Sequence, residues 1–453
     1  MSIFKACDIR GEYGTELTEA LARRLGQAVG TRLAGEAVVV GGDVRLSTPA
    51  LKAALIEGLA ETGCRVLDLG IVPTPVLYFA KARLGAAGSV MVTASHNPAP
   101  DNGFKLMLGE YPPSEEALGA IERELALADF ARRPGSVSSV DILPQYESFL
   151  LERFAPGGQL RLVLDCGNGC YSTVAPAILA RLGYQVEPLF CEPDGRFPNR
   201  SPNPALARNL QHLCRRVVAT GADLGIAFDG DGDRVAFVDE QGQPTETDRV
   251  AVLFVRWLLG GQTFDVSRLM SPVPEVIYDI KCSSVLREAV EAAGGRAVME
   301  RSGHAFIKTA LLQRQALFGA EISGHLFFRE LGGDDALYAS CLLLQILQSE
   351  GRGLGALLAE VPRYPITPDI RLPCPPQKVA AILAELQQAF AGHPVSLLDG
   401  VRVDFGDGWA LARSSVTEPL ITLRFEAHTP ERLEEIQQLV RRNVPTLAGI
   451  WEK

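Results

Sequence analysis

Two short polar loops in this sequence combine side chains that could transfer a phosphoryl group. Residues 93–98 (T-A-S-H-N-P) offer the hydroxyl of Ser95 in a small turn after an apolar run. Residues 229–234 (D-G-D-G-D-R) place carboxylates at alternate positions between glycines, a set of hard oxygen ligands that suits a divalent cation. A hydroxyl that carries a phosphoryl group, together with a cation that offsets its charge, is the minimum for covalent phosphoryl transfer.

The acidic loop also matches part of a calcium-binding EF-hand, with Asp at positions 1, 3 and 5 and Glu240 at position 12. However, Arg234 stands at position 6, where that loop needs glycine. The apolar runs 226–228 and 235–238 on either side predict strands. The sequence therefore favours a β-hairpin that presents Asp229, Asp231 and Asp233 to Mg²⁺.

A third polar segment, residues 319–325, contains Glu321, Ser323 and His325. Glu321 and Ser323 are two residues apart, so in an extended chain they face the same side. Such a pair can bind neighbouring hydroxyls of a sugar. The alternative for this segment is a solvated turn.

A fourth segment, residues 413–419, puts the guanidinium of Arg413 beside hydroxyls and the amides of a turn. Arginine can bind two phosphate oxygens, and backbone N–H groups can bind the others. The segment is a candidate phosphate site, and its alternative is an ordinary polar β-turn.

The elements that position these loops follow a repeated pattern. A strand, a polar turn, a helix, a glycine that ends the helix and a second strand occur in that order three times. The helix-ending glycines are Gly63, Gly183 and Gly294, and the spacing between them is that of whole domains. The predicted strand pairs are residues 37–40 and 64–67, 160–165 and 184–189, and 275–280 and 296–299. The fold class predicted is α/β, with three related domains built on mixed sheets.

The last part of the sequence departs from this pattern after a proline-rich stretch at residues 361–365. A helix near 378–390, strands near 401–405, 409–413 and 420–427, and a helix from Pro430 predict a smaller α+β domain with a mostly antiparallel sheet. The predicted domains are residues 1–140, 141–243, 244–362 and 363–453.

The amino-acid composition limits which partners the protein can bind and in which compartment we expect it. The 453 residues, 47% hydrophobic and 22% charged, are typical of a globular protein with several domains. A net charge of −10 argues against nucleic-acid or membrane partners. Because the sequence has no long apolar run and its nine cysteines form no C-x-x-C pair, we expect no membrane span, reduced thiols and a cytoplasmic location.

With all four loops in this order, the sequence resembles the α-D-phosphohexomutases, and within them the bacterial phosphomannomutase/phosphoglucomutase group. The joint occurrence of T-A-S-H-N-P and D-G-D-G-D-R is highly specific, and the likeness covers nearly the whole chain. It implies three α/β domains and a C-terminal domain arranged as a heart around a central cleft. Cys7 and Gly42 depart from it, standing where relatives often have Tyr and Arg.

The resemblance also implies roles for residues. Ser95 would carry the phosphoryl group and would bind Mg²⁺ together with Asp229, Asp231 and Asp233. Glu321 and Ser323 would hold sugar hydroxyls. The non-reacting phosphate would be held by Arg413, Ser415 and Thr417. The remaining cleft residues would be Arg10, Lys105, Arg234, Arg249, Lys281, His304 and His325, with Lys105 and His325 as candidates for proton transfer.

The implied activity is interconversion of hexose 1-phosphates and hexose 6-phosphates of glucose and mannose. It would use a phosphoserine, one Mg²⁺ per chain and glucose 1,6-bisphosphate as activator and intermediate, and the protein would be a monomer. A phosphoglucosamine mutase is the nearest alternative, but Glu-Ile-Ser at residues 321–323 favours a neutral hexose. A serine-dependent phosphatase would not need the sugar and phosphate loops. An inactive binding protein would not need Ser95 and the three aspartates.

Overall fold

The computed structural model describes residues 2–260, 273–414 and 419–451, so Ser415 and Thr417 lie outside the described residues. Four β-sheets follow one another along the chain. Three are mixed sheets and the last is antiparallel, which confirms the predicted fold class. No helix among these residues is long and apolar enough to cross a bilayer.

The first sheet has six strands, with a helical layer around it. The strands are β1 (Ile9–Glu12), β2 (Ala37–Gly42), β3 (Arg65–Ile71), β4 (Gly88–Val92), β5 (Asp101–Leu108) and β6 (Ser136–Ser139). The helices are α1 (Glu19–Arg32), α2 (Thr48–Glu61), α3 (Thr74–Arg83) and α4 (Glu115–Leu127). In the order β1-β5-β4-β2-β3-β6, only β5 runs antiparallel to its neighbours. Strands β2 and β4 are buried along their whole length, which explains their continuous apolar sequence.

The second sheet has four strands in the order β10-β9-β7-β8. They are β7 (Arg161–Asp165), β8 (Gln185–Leu189), β9 (Leu224–Phe228) and β10 (Val235–Val238), and the helices are α5 (Leu143–Arg153), α6 (Ala175–Arg181) and α7 (Gln211–Thr220). Strands β9 and β10 pair antiparallel. The acidic loop is therefore the turn of a hairpin, as predicted, and not a helix–loop–helix.

The third sheet has five strands in the order β12-β11-β13-β14-β15. They are β11 (Glu275–Asp279), β12 (Arg296–Glu300), β13 (Phe318–Ala320), β14 (Leu326–Phe328) and β15 (Gly333–Asp334). The helices are α8 (Thr247–Leu259), α9 (Ser284–Ala292), α10 (His304–Arg314), α11 (Ala336–Glu350) and α12 (Leu354–Leu358).

The fourth sheet is antiparallel, in the order β16-β20-β19-β18-β17. Its strands are β16 (Ile370–Pro373), β17 (Val395–Ser396), β18 (Val401–Asp404), β19 (Gly408–Ser414) and β20 (Leu420–Ala427). Helices α13 (Pro376–Ala389), α14 (Pro430–Asn443) and α15 (Pro445–Trp451) complete this part. The small antiparallel α+β unit matches the sequence prediction.

The repeated strand–helix–glycine–strand pattern is present in the first three sheets. Gly63, Gly183 and Gly294 follow α2, α6 and α9 with φ angles of 94°, 93° and 77°. These left-handed values favour glycine over residues with a side chain.

The hydrophobic cores show how the domains are joined. One continuous core includes Met91, Phe228 and Phe318, from the first, second and third sheets. The fourth sheet has its own core and meets the third through a small cluster in which Trp409 and Leu411 pack on Ile280. The first three sheets therefore form a continuous support for the loops at their edges.

Candidate active site

The nucleophile candidate, Ser95, lies in the turn that follows β4. It is fully buried, and its φ of 51° is in the left-handed region, which is uncommon for a residue with a side chain. Its Oγ donates a hydrogen bond to Oδ2 of Asp229 at 2.8 Å. The hydroxyl of Thr93 accepts from the backbone N–H of Ser95 at 2.8 Å. The two loops singled out in the sequence therefore meet, although 134 residues separate them.

The loop at residues 93–101, called the nucleophile loop below, is held by Arg45. The sequence analysis did not identify Arg45 as a site residue. Its side chain is fully buried and pairs with Asp43 at 3.0 Å. The guanidinium donates to four backbone carbonyl oxygens, those of Ser95 (2.9 Å), Asn97 (2.7 Å), Pro98 (2.5 Å) and Asp101 (2.9 Å). The only sequence signal was an Asp and an Arg directly after a buried strand. Arg45 therefore fixes the position of Ser95, the candidate nucleophile.

The three carboxylates of the acidic loop are buried and can meet at one point. Asp229, Asp231 and Asp233 each offer an oxygen within 4.8 Å of the others. Oδ1 of Asp231 and Oδ1 of Asp233 have no hydrogen-bond partner within the described part of the chain. Burial and the two neighbouring carboxylates raise the pKa of Asp229 well above its usual range. Buried carboxylate oxygens without partners are what a divalent cation would satisfy.

Lys105, on β5, reaches into the same cluster. Its ammonium pairs with Asp231 Oδ2 at 2.7 Å and with Asp233 Oδ2. Burial alone would lower the pKa of Lys105, but these two carboxylates outweigh it and raise that pKa well above the usual range. For Asp233, burial is likewise outweighed by Lys105 and His325, and its pKa falls to about 2. Lys105 is therefore a fixed positive charge beside the nucleophile loop.

His325 lies between a cation and an anion. The Nε–H of Arg234 donates to His325 Nε2 at 2.8 Å, and His325 Nδ1 is 2.6 Å from Asp334 Oδ2. Because arginine can only donate, Nε2 is the acceptor and the ring proton lies on Nδ1. Asp334, which sequence reasoning missed, thus sets the tautomer of the ring. The same proton makes Nδ1 unsuitable as a ligand in the second acidic group, Asp233, His325 and Asp334.

Arg10 and His304 flank the nucleophile loop on another side. Arg10 donates to Asn97 Oδ1 at 2.9 Å and pairs with Asp8 at 2.7 Å, while His304 Nε2 lies 3.8 Å from the Asp8 carboxylate. Burial would raise the pKa of Asp8, but Arg10 and His304 hold it well below its usual range. Arg10 and His304 therefore both lie close to the Asp8 carboxylate at this side of the loop.

The segment with Glu321 and Ser323 connects β13 to β14. It forms a turn, the alternative considered from the sequence, and not an extended chain: Gly324 has a φ of 102° and its N–H donates to the carbonyl of Glu321 at 3.0 Å. The two side chains are nevertheless adjacent, since Ser323 Oγ donates to Glu321 Oε1 at 2.8 Å. Glu321 Oε2 is buried without a hydrogen-bond partner among the described residues. That oxygen is available to accept from a ligand hydroxyl.

A cavity of about 720 Å³ lies beside this segment, between the third sheet and the proline-rich connection. Its lining includes Ser323, Arg249 and Tyr364. Arg249 donates to the carbonyl of Val361 at 3.0 Å and thus holds the connection to the fourth domain. Lys281 pairs with Asp369 at 3.1 Å across the same connection.

Arg413 is at the end of β19 and pairs with Asp399 at 2.9 Å. The other two members of the predicted phosphate site, Ser415 and Thr417, fall outside the described residues. Arg413 has no contact with Ser95 among the hydrogen bonds and ion pairs of the described residues. The fourth domain thus contributes a cation that is separate from the nucleophile loop.

Sequence models of the phosphoglucomutase/phosphomannomutase family match the chain in four consecutive stretches. They are alpha/beta/alpha domain I over residues 1–132, domain II over 144–242, domain III over 246–364 and the C-terminal domain over 370–443. A phosphomannomutase/phosphoglucomutase from Pseudomonas aeruginosa is 41% identical over 98% of this chain and 95% of its own. The chain belongs to this family.

Two further relatives of the phosphoglucomutase/phosphomannomutase family show its breadth. A crystal structure of a family protein from Burkholderia thailandensis superimposes with a TM-score of 0.90 at 37% identity, covering 99% of this chain and 98% of that one. A probable phosphoglucosamine mutase from Methanothermobacter thermautotrophicus is 36% identical over 99% of this chain and 98% of its own.

Gly42, one of the two departures noted in the sequence, has a structural explanation. A Cβ at this position would lie 2.4 Å from the Thr48 methyl group. Thr48 donates to Asp43 at 2.6 Å, the carboxylate that pairs with Arg45. A side chain at position 42 would therefore disturb the support of the nucleophile loop. Cys7, the other departure, lies beside Gly303, where a Cβ would be 2.9 Å from its sulfur.

Proposed function

We propose that this protein is a phosphohexomutase that interconverts hexose 1-phosphates and hexose 6-phosphates of glucose and mannose. The observation that carries the proposal is the hydrogen bond from Ser95 to Asp229, which joins the nucleophile loop of one domain to the acidic loop of the next. Membership of the family and the phosphomannomutase/phosphoglucomutase name of the Pseudomonas relative support it.

Ser95, Asp229, Asp231 and Asp233 would hold one Mg²⁺. The buried, unpartnered oxygens of Asp231 and Asp233 support this assignment, as does the all-oxygen character of the donors. When bound, the ion offsets negative charge on the phosphoryl group and on the serine oxygen. Lys105, already bonded to two of these carboxylates, keeps positive charge at the site throughout the reaction.

The phosphoryl transfer itself uses the chain's own side chains. In the resting enzyme Ser95 carries the phosphoryl group, and a hydroxyl of the bound hexose phosphate attacks it. The new bond joins the phosphorus to the sugar oxygen, while the bond between the phosphorus and Ser95 Oγ breaks, and the released oxygen takes up a proton to become the hydroxyl that donates to Asp229. The product of this half-reaction is a hexose 1,6-bisphosphate. This intermediate reverses its orientation in the cleft and returns its other phosphoryl group to Ser95.

The proton of the attacking hydroxyl needs an acceptor, and His325 Nε2 is suited to this role. Asp334 holds the ring in the tautomer whose Nε2 carries a lone pair, and Arg234 occupies that lone pair at 2.8 Å. A phosphoryl group in the cleft would attract the Arg234 guanidinium and release Nε2. Binding of the charged substrate would thus expose the base only when it is needed.

The sugar hydroxyls would be bound by Glu321 and Ser323, whose side chains are already joined by a hydrogen bond. When a hexose bisphosphate reverses its orientation, its 3- and 4-hydroxyls roughly exchange places. The same two side chains can therefore bind these hydroxyls in both orientations. Arg413, with Ser415 and Thr417, would hold the non-reacting phosphate. Lys281, Arg249, His304 and Arg10 would line the rest of the cleft.

A phosphoglucosamine mutase remains the nearest alternative within the same chemistry. Purified protein with Mg²⁺ and a trace of glucose 1,6-bisphosphate should be assayed with glucose 1-phosphate, mannose 1-phosphate and glucosamine 1-phosphate. We expect turnover of the first two and at least tenfold lower efficiency with the third. A preference for glucosamine 1-phosphate would replace the proposed substrate class, and loss of all activity on chelation would support the metal assignment.

The proposal also covers the domain limits, the oligomeric state and the location of the protein. We propose four domains with limits at 1–140, 141–243, 244–362 and 363–453, supported by the four successive sheets. The protein would act as a monomer in the cytoplasm on small sugar phosphates, with no nucleic-acid or membrane partner.

A further inference from the structure

Two cysteines of the second domain lie in contact, although neither belongs to the site described above. Cys166 directly follows β7, and Cys191 follows β8, the parallel strand beside it. The sulfur atoms are 3.2 Å apart. The backbone N–H of Cys166 donates to the carbonyl of Leu189 at 3.1 Å, which keeps the two strand ends together.

The two thiols of the pair differ in burial. Cys191 is half-buried, whereas Cys166 is fully buried. Hydrogen bonding to Cys166 lowers the pKa of the Cys191 thiol, and the thiolate is the reactive form of cysteine. By contrast, burial raises the pKa of Cys170, Cys282 and Cys341, so those thiols are less reactive. Cys191 is thus the thiol of the pair that would react first with an oxidant, with the buried Cys166 in contact with it.

We propose that Cys166 and Cys191 form a reversible intramolecular disulfide when the protein meets a peroxide. A disulfide has a sulfur–sulfur bond of about 2.05 Å, so the two sulfur atoms must approach by about 1.2 Å from their present separation of 3.2 Å. Both cysteines lie beyond the last residues of the paired strands β7 and β8, so the approach needs rotation of their side chains and not a rearrangement of the sheet.

The chemistry balances with hydrogen peroxide as the oxidant. The Cys191 thiolate attacks one peroxide oxygen, the O–O bond breaks, and the departing hydroxide takes up a proton to become water. The resulting sulfenic acid on Cys191 is attacked by the sulfur of Cys166. The S–O bond breaks, the thiol proton leaves with the hydroxyl as a second water, and the S–S bond forms. Two thiols and one peroxide thus give one disulfide and two waters, and an added dithiol reverses the reaction.

The disulfide would act on the acidic loop, because the segment that begins at Cys166 supports that loop. The N–H of Cys170 donates to the carbonyl of Gly230 at 3.0 Å. Asp165 pairs with Arg200 at 2.8 Å, and Arg200 donates to the carbonyl of Phe228 at 2.7 Å, one residue before the first acidic side chain. A movement of Cys166 is therefore transmitted to the carboxylates, and we expect oxidation to raise the Mg²⁺ concentration needed for half-maximal activity several-fold.

The test begins with the reduced full-length protein, treated with a small excess of hydrogen peroxide, alkylated and mapped by peptide mass spectrometry. We expect a linked peptide containing Cys166 and Cys191, alkylation of the other seven cysteines, and full reversal by dithiothreitol. This readout does not depend on the proposed function. If peroxide leaves both thiols open to alkylation, or converts Cys191 to sulfinic acid without a linked peptide, the proposal is wrong.

Three variants make the test specific. Cys191→Ser should abolish the linked peptide and keep the Mg²⁺ requirement constant after peroxide treatment. Cys166→Ser should leave a sulfenic acid on Cys191 that dimedone traps. Cys214→Ser, at another half-buried thiol of the same domain, should behave as the parent protein does. An oxidised parent protein with an unchanged Mg²⁺ requirement would refute the coupling to the acidic loop while leaving the disulfide itself established.

Discussion

The guanidinium of Arg45 donates to the carbonyl oxygen of Ser95 at 2.9 Å, from a side chain that is itself fully buried. The contact fixes the backbone of Ser95, the proposed nucleophile, in its left-handed conformation. Since the same guanidinium also bonds three other carbonyls of the loop, the shape of the loop depends on one side chain.

Arg45→Lys should therefore reduce turnover without removing any group that contacts substrate. A lysine cannot reproduce the planar set of donors, and a shift of about 1 Å in a reacting group can cost about 100-fold in rate. We expect kcat for glucose 1-phosphate to fall 10- to 100-fold, by that misplacement estimate, with KM nearly unchanged. Arg32→Lys, at an exposed pair with Glu124, is the control. A normal kcat in Arg45→Lys would show that the loop holds its shape without this residue.

Asp334 should be needed for the rate although it does not reach the substrate. Asp334→Asn would leave His325 free to place its proton on either nitrogen, and the loss of a carboxylate that orients a functional histidine costs about 10- to 100-fold. We expect kcat to fall by that factor while phosphorylation of Ser95 by glucose 1,6-bisphosphate is still detected. Because both changes affect one base, the double variant with His325→Asn should be no slower than His325→Asn alone. If the double variant instead shows the sum of the two single losses in kcat, Asp334 acts through a group other than His325.

Features that depend on local sequence patterns could be predicted from the sequence, whereas contacts that only the tertiary fold creates could not. Strands and helices were predictable from apolar runs and glycines, and the strand predicted at residues 275–280 is β11, Glu275–Asp279. The hairpin at the acidic loop followed from one arginine in place of glycine. Arg45 and Asp334 were missed because their partners are backbone carbonyls and a histidine that only the tertiary fold brings near. The sequence left open whether the segment at Glu321 is extended or a turn, because the left-handed φ of Gly324 is not visible in residue spacing.

Stability should depend on pH through Lys308, whose ammonium lies over the Tyr78 ring and has no hydrogen-bond partner among the described residues. Burial lowers the pKa of Lys308 from 10.5 to about 7. Between these values the unfolded chain binds a proton that the folded chain does not, so stability rises with pH by up to about 1.4 kcal/mol per unit.

Replacing the amine with a side chain that cannot titrate removes this dependence. Lys308→Met should be more stable than the parent at pH 7, and the difference should shrink towards pH 9. Apparent melting temperatures at pH 7, 8 and 9 measure it, with Lys378→Met as the control. A difference that stays constant or grows with pH would contradict the lowered pKa.

The sugar specificity should be broad, because Glu321 and Ser323 are assigned to the 3- and 4-hydroxyls and glucose and mannose differ only at carbon 2. A centre that the protein does not contact offers little discrimination. We expect kcat/KM values for the two 1-phosphates within about tenfold, or about 1.4 kcal/mol, and Glu321→Ala should lower both together. An enzyme that uses glucose 1-phosphate well and ignores mannose 1-phosphate would reveal a contact at carbon 2.

The central claim is that the phosphoryl group passes through Ser95, and one measurement tests it directly. Protein labelled with isotopic phosphate from glucose 1,6-bisphosphate is digested to locate the label, and in parallel it is mixed rapidly with unlabelled glucose 1-phosphate. We predict that the label is on Ser95, is absent from Ser95→Ala, and moves to sugar at least as fast as steady-state turnover. Label on another residue, or transfer from Ser95 slower than turnover, would contradict the mechanism.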